Sequence, residues 1–427
     1  MKWKSASFSL INLAVGFSLM LSCSCVSQSA ENKIINANVI NNDSIELETA
    51  QLDQVYQEII TGAEQTELYF PQLQNRKVGV VANNTSVIGK THVVDSLLSV
   101  GVDVKIVFSP EHGFRGDRDA GDKINHSVDA KTGLPIFSLH GKTKKPSAVS
   151  LKDVDVVLFD IQDVGVRFYT YISSLHHVME ACAENNIELI VLDRPNPNAH
   201  YIGGPVLNRK YTSFVGMHSV PVVYGMSIGE YAKMINGERW LKDSVVCDLK
   251  VVKLKNWTYD KEYVLPIPPS PNLPTQLSIY LYPHICLFEG TSVSVGRGTK
   301  APFEKYGHPK YKGLNYSFTP KSIQGKSSNP PFKNEVCYGV DLSSTSISDA
   351  RSVKNLKLSF LIDANENTAS KNIFTHSSFF NLLAGNNELM QKIKSGQSER
   401  EIQDSWEEGL TEFQKVRSKY LMYIESK

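Results

Sequence analysis

The stretch Asp103-Val-Lys-Ile-Val-Phe-Ser-Pro-Glu-His-Gly-Phe-Arg-Gly-Asp117 joins an apolar run to a loop dense in chemistry. Its first five residues are mostly β-branched and apolar, the pattern of a buried parallel strand. Ser109-Pro110 ends that strand, because proline has no N–H for the ladder and pushes its predecessor toward extended backbone. The loop then offers the Glu111 carboxylate, the His112 imidazole and the Arg115 guanidinium, with Gly113 and Gly116 between and beyond them. Open α/β sheets bind ligands beyond the carboxyl ends of their strands. Glu111 is therefore expected at the mouth of a cleft, although a lone Glu-His-Gly also reads as a surface turn.

Outward from this stretch the same alternation continues. Residues 77–82, 135–139, 155–160 and 187–192 read as strands, and 92–100 and 171–185 as helices. In the second helix Ile172, Leu175, Val178, Met179 and Cys182 recur at helical spacing. Strand and helix in alternation predict an α/β fold: a Rossmann-like parallel sheet with helices on both faces, over residues 52–245. The texture then changes. Pro266, Pro268, Pro269, Pro271 and Pro274 exclude a regular element and predict a rigid extended loop. Short strands at 287–295 and 356–362, helices near 379–383 and 388–393, and an amphipathic segment at 401–423 predict a smaller α+β auxiliary domain over 246–427.

The N-terminus reads as a targeting segment. Met1-Lys-Trp-Lys4 is basic, residues 8–21 are apolar but short for a membrane span, and Leu19-Met-Leu-Ser-Cys23 resembles a bacterial lipobox. The expectation is a signal peptide over 1–23, lipidation of Cys23, a flexible tether over 24–51 rich in Ser, Asn, Gln and Glu, and a cell-envelope location attached to the membrane through the lipid. Cleavage after Ala30 is the rival reading, with Gln28 a poor fit to the small-residue rule. A net charge of +1, with no block of five like charges, argues against nucleic-acid binding. Cys182, Cys247, Cys286 and Cys337 are widely spaced without a Cys-x-x-Cys, so zinc-finger and thioredoxin-like chemistry are unsupported. Buried thiols are expected, with one disulfide open.

The polar residues cluster after the strands. Asn83-Asn-Thr85 follows the first, Ile161-Gln-Asp-Val-Gly-Val-Arg-Phe-Tyr-Thr-Tyr171 another, and Asp193-Arg-Pro-Asn-Pro197 a third. With the Glu111 loop, these converge on one edge of a parallel sheet. Pro268-Pro-Ser-Pro-Asn-Leu-Pro-Thr275 and Phe288-Glu-Gly-Thr-Ser-Val-Ser-Val-Gly-Arg-Gly-Thr299 are equally dense, the latter placing Glu289 before a predicted strand and Arg297 between glycines after it. Gly-x-Gly alone does not make a dinucleotide site.

At these stretches, and at Ser109-Pro-Glu-His-Gly-Phe-Arg-Gly116, the chain resembles the NamZ-like exo-β-N-acetylmuramidase family over residues 70–427. The resemblance implies a glycoside hydrolase that releases N-acetylmuramic acid from the non-reducing end of peptidoglycan fragments. It also implies a cleft between a Rossmann-like domain and an auxiliary domain, a catalytic Glu at Glu111, and a functional Tyr at Tyr169 with Tyr171 close by. Ser86 departs from the glycine expected in the loop after the first strand.

Glycoside hydrolysis needs an acid at the leaving oxygen and a second group at the oxocarbenium-like centre. Glu111 is the acid candidate. The second group stays open among Asp160, Asp163, Glu289, a phenolic Tyr169 and the substrate's own 2-acetamido group. Candidate substrate-binding residues are Asn83, His112, Arg115, Asp163, Arg167, Asp193, Asn272 and Arg297. Arg167 and Arg297 suit the lactyl carboxylate of muramic acid, which a guanidinium grips through two hydrogen bonds; the bland alternative is an ion pair with Asp163 or Glu289. Tyr280 and Tyr282 read as core or as stacking platforms. His112, His126 and His140 lack metal-ligand spacing, and no cofactor is expected. The expected partner is a peptidoglycan-derived muropeptide or a MurNAc-GlcNAc disaccharide. A muropeptide-binding lipoprotein without catalysis is the alternative from another class, and an ester or amide hydrolase is a third option.

Overall fold

The computed structural model describes residues 57–424 except 112, 116–126, 142, 369 and 371. His112, His126, Cys23, the predicted signal peptide and the predicted tether lie outside the described residues. Glu58 onward folds as one unit.

Twelve strands are described: β1 (Lys77–Ala82), β2 (Val87–Ile88), β3 (Thr91–His92), β4 (Asp103–Ser109), β5 (Ser127–Val128), β6 (Pro135–Ser138), β7 (Val156–Asp160), β8 (Glu188–Leu192), β9 (Leu249–Val252), β10 (Lys305–His308), β11 (Tyr316–Phe318) and β12 (Cys337–Asp341). The main sheet runs β5-β6-β4-β1-β7-β8-β9, with β5 antiparallel at one edge and all other neighbours parallel. Counted along the chain, its parallel strands stand in the 3-2-1-4-5-6 order of the Rossmann fold. Both faces are covered, as parallel sheets require. Val78, Val80 and Leu158 pack with Tyr69, Leu73 and Leu97 on one side, while Val81, Val157 and Phe159 pack on the other with Ile172, Leu175 and Met179 of the helix Tyr171–Glu184. The sheet takes in β9, beyond the domain boundary expected at 245.

The C-terminal part carries a small antiparallel sheet, β10-β12-β11, and a series of short helices. Two predicted strands are absent there. Residues 286–290 form a 3-10 turn continuing the helix Gln276–Ile285, and Ser359–Glu366 is a helix. Short apolar runs look alike in strand and buried helix, and here Phe288 and Leu361 join a core already built from helices. That core is continuous with one face of the main sheet and reaches Phe380, Leu389 and Trp406.

The reversal of strand order between β1 and β7 opens a crevice at their carboxyl ends. The loop after β7 is held tight by Gly165, where φ is +75° and a Cβ would come within 2.1 Å of the Asn196 amide.

Candidate active site

Past the carboxyl ends of β4 and β7 lies a cavity of about 250 Å³ whose walls come from both parts of the chain. Glu111 enters from the loop after β4, Tyr169 and Tyr171 from the loop after β7, Ser270 and Asn272 from the proline-rich segment, and Tyr282, Glu289 and Arg297 from the C-terminal part. The structure thus brings together Glu111, Tyr169, Asn272, Glu289 and Arg297, which lie far apart in the chain.

Arg297 Nε meets Glu289 Oε1 at 2.6 Å, and its guanidinium lies 5.1 Å from the centre of the Phe303 ring. It is the single cationic side chain among the described residues lining the cavity. Glu289 therefore stands in the ion pair weighed above, in a turn rather than before a strand. The Cys286 thiol also donates to Glu289, at 3.5 Å.

The tyrosines form an aromatic wall. Tyr169 stacks edge-on with Tyr171 at 4.8 Å and with Tyr282 at 5.8 Å between ring centres. The Tyr169 hydroxyl donates to the Pro269 carbonyl at 2.7 Å, and burial together with its tyrosine neighbours pushes that phenol well above its ordinary range. Tyr171 accepts from the Asn83 amide at 3.0 Å. Burial, then the Glu111 carboxylate, raises the Tyr171 phenol as well. Glu111 and Tyr171 line the same cavity.

Asn83 is fully buried and lies behind the wall rather than in it. Its side-chain oxygen accepts from the Thr85 N–H and hydroxyl, and its carbonyl accepts from His92 Nε2 at 2.9 Å. Val94 N–H donates to His92 Nδ1, so one neutral tautomer satisfies both contacts. Ser86 has a clear task in this loop: its hydroxyl accepts from Asn83 N–H and donates to the Asp160 carbonyl.

Other expected site residues are placed elsewhere. Arg115 forks onto Asp129 at 2.9 and 2.8 Å and reaches Asp95 at 3.1 Å, which ties the Glu111 loop to the helix Val93–Ser99. Arg167 is wholly buried and donates to the carbonyls of Pro205, Val220 and Leu383, with burial lowering it to about 9. It holds the wall helix Ser377–Ala384 in place and does not face the cavity. Asp163 is buried against Tyr224 and the Gly165 N–H, with desolvation raising its carboxyl to about 6. Asp193 accepts from Ser227, Gly229, Arg194 and Tyr423, a junction beneath the sheet edge rather than a sugar contact. Asp160 is locked to Arg194 at 2.6 and 2.9 Å. Tyr280 lies in the core, while Tyr282 lines the cavity. The four described cysteines are buried thiols.

Sequence reasoning missed Phe303, Phe379 and Leu383 as cavity walls. As apolar residues they carry no chemical signal, and only the fold brings them to Glu111.

The chain matches the family models for the N-terminal part of exo-β-N-acetylmuramidase NamZ over residues 78–277 and for its C-terminal part over residues 280–423. It is 40% identical over 372 residues to the peptidoglycan β-N-acetylmuramidase NamZ of Bacillus subtilis (strain 168), covering 83% of this chain and 89% of that protein. A crystal structure of a DUF1343 family protein from Bacteroides fragilis NCTC 9343 is 47% identical, with a TM-score of 0.80, covering 87% of this chain and 100% of that one. A second DUF1343 structure from the same organism is 31% identical, with a TM-score of 0.74, covering 86% of this chain and 99% of that one.

Proposed function

The chain belongs to the NamZ exo-β-N-acetylmuramidase family, and from that premise we propose that it hydrolyses terminal N-acetylmuramic acid from the non-reducing ends of peptidoglycan fragments, in cell-wall turnover or salvage. The observation that carries the reading is the Glu111 cavity, which the Glu289–Arg297 pair and the tyrosines line together. At about 250 Å³ it lies just below the roughly 300–1,000 Å³ range of small-molecule sites, a size suited to a single terminal sugar.

In this reading Glu111 gives its proton to the glycosidic oxygen as the bond to the anomeric carbon breaks, and water supplies the hydroxyl that ends on that carbon. Arg297 reads the lactyl carboxylate, while Glu289 holds the guanidinium in place. No observation favours a binding protein without catalysis. The N-terminal lipobox-like stretch supports a lipoprotein, anchored through Cys23 at the cell envelope; Cys23→Ala is expected to move the protein out of the membrane fraction.

The test is release of para-nitrophenol from the β-N-acetylmuraminide and from the matching β-N-acetylglucosaminide, with Glu111→Gln alongside. Cleavage of the muraminide alone, falling about 10²- to 10⁴-fold in the variant, is the expected result. Equal cleavage of both sugars, or full activity in the variant, overturns it.

A further inference from the structure

The helix Ser377–Ala384 carries two neighbouring phenylalanines with unlike surroundings. Phe380 is fully buried, meets the Phe374 ring edge-on at 4.8 Å and joins the large core. Phe379 is 39% exposed and stands outside that core, yet it lines the Glu111 cavity. Leu383, one helical turn further on, lines the same cavity and is buried. Leu383 is thus inside the cavity and Phe379 at its mouth. Among the described residues that line the cavity, Phe379 alone is exposed. A single apolar side chain on a surface is ordinary. One on the lip of the reaction cavity stands where the substrate enters.

The ring is presented by a fixed frame. Gly290 packs against the helix so closely that a Cβ there would come within 2.4 Å of the Phe380 Cα. His376 Nδ1 lies 3.2 Å from the Thr291 carbonyl oxygen. At the other end Arg167 donates to the Leu383 carbonyl at 2.9 Å, and the Asn208 N–H donates to the Gly385 carbonyl at 2.9 Å. Glu289 precedes Gly290, so the turn that holds the cavity's ion pair and the helix that holds Phe379 pack as one unit. A side chain held on such a frame has little freedom to lose on binding.

A cavity of about 250 Å³ takes one terminal sugar. The sugar joined to it, whose glycosidic oxygen receives the Glu111 proton, then lies at the mouth. In a glycan without stem peptides the chain leaves the terminal unit only through that bond. A pyranose ring has an apolar C–H face, and an aromatic ring offers it a flat apolar partner. We propose that Phe379 is the stacking platform for the second sugar of the chain, the N-acetylglucosamine that leaves on hydrolysis, and that it makes the protein prefer a glycan end over the free monosaccharide. The inference deepens the muramidase reading and rests on it for the identity of the two sugars.

The test is calorimetric titration of the full chain carrying Glu111→Gln with N-acetylmuramic acid and with the MurNAc-GlcNAc disaccharide, before and after adding Phe379→Ala or Phe379→Trp. The ratio of disaccharide to monosaccharide affinity is expected to fall about five- to tenfold with alanine. With tryptophan, which keeps the aromatic face, it is expected to stay within about twofold. The thermal midpoint of the alanine variant should stay within about 2 °C of its parent, since the ring lies outside the core. An unchanged ratio in Phe379→Ala, whether neither affinity moves or both fall together, overturns the platform. A muramoyl peptide lacking the second sugar is the third ligand, and a dependence on Phe379 there but not in the disaccharide overturns it in favour of a stem peptide. Turnover of the chromogenic muraminide by the unsubstituted protein is measured separately. Its absence overturns the muramidase reading, while a ratio that depends on Phe379 still supports the platform.

Discussion

Tyr169→Phe separates two roles for the cavity's phenol. A tyrosine at its ordinary pKa of about 10 is phenolate in roughly one molecule in a thousand at pH 7. Here burial, Tyr171 and Tyr282 push it further from ionisation. Its proton is already donated to Pro269, in the segment that presents Ser270 and Asn272 to the cavity. On this geometry Tyr169 is expected to act as a positioning residue for that segment. The variant loses one neutral hydrogen bond, about 1 kcal/mol, while Pro269 keeps the Tyr171 hydroxyl at 3.4 Å. The expected fall in kcat/KM is about three- to tenfold, mostly through KM. Steady-state kinetics on the chromogenic muraminide measure this, with intact-protein mass spectrometry under rapid quench. A loss beyond about a thousandfold with an unchanged melting curve, or a sugar adduct on Tyr169, refutes the reasoning, because a nucleophile forms such an adduct.

Arg297→Lys keeps the charge but loses the fork, so KM for the muraminide should rise about tenfold with kcat within a few-fold; the reverse split would show that Arg297 acts in the chemical step. Arg194→Met strands the buried Asp160 carboxylate, and a loss of about 3–5 kcal/mol is expected by denaturant titration, with part recovered when Asp160→Asn is added; an unchanged midpoint would refute this. Burial raises Glu230 from 4.5 to about 7 despite its bonds from Tyr259 and Met422. The folded state therefore binds the extra proton, and this contribution, fully present below about pH 4.5, is lost as pH rises through about 7. Glu230→Gln should flatten the thermal-midpoint profile over that window, and a profile as steep as before would place the titration elsewhere.

Much of the sheet was legible because its strands are short β-branched runs bounded by turn residues, and period and punctuation are local properties. β9 was missed because Leu249-Lys-Val-Val252 is brief and partly exposed, and its pairing with β8 is a long-range event. The C-terminal strands at 287–295 and 356–362 failed because apolar runs of that length fit either a strand or a helix packed into a core.

The candidate site divides in the same way. The residues around Glu111 determined by themselves that a carboxylate would leave a strand end beside a tight turn, and the chain's long motifs pointed to its family. They did not determine which polar groups would face the cavity. Arg167 and Arg297 each follow an apolar run and stand near glycine. Arg167 is sealed in because Leu383, 216 residues further on, brings its carbonyl to the guanidinium. Arg297 stays at the cavity because Glu289, eight residues earlier, holds it there. Asp193 and Glu111 both follow strands. Asp193 is claimed by Tyr423, 230 residues away, while Glu111 lines the cavity. A side chain's chemistry is written at its own position, but its solvent, its partners and its charge state come from segments that return to it through the fold, so the tertiary structure alone decided which of these like residues face the cavity.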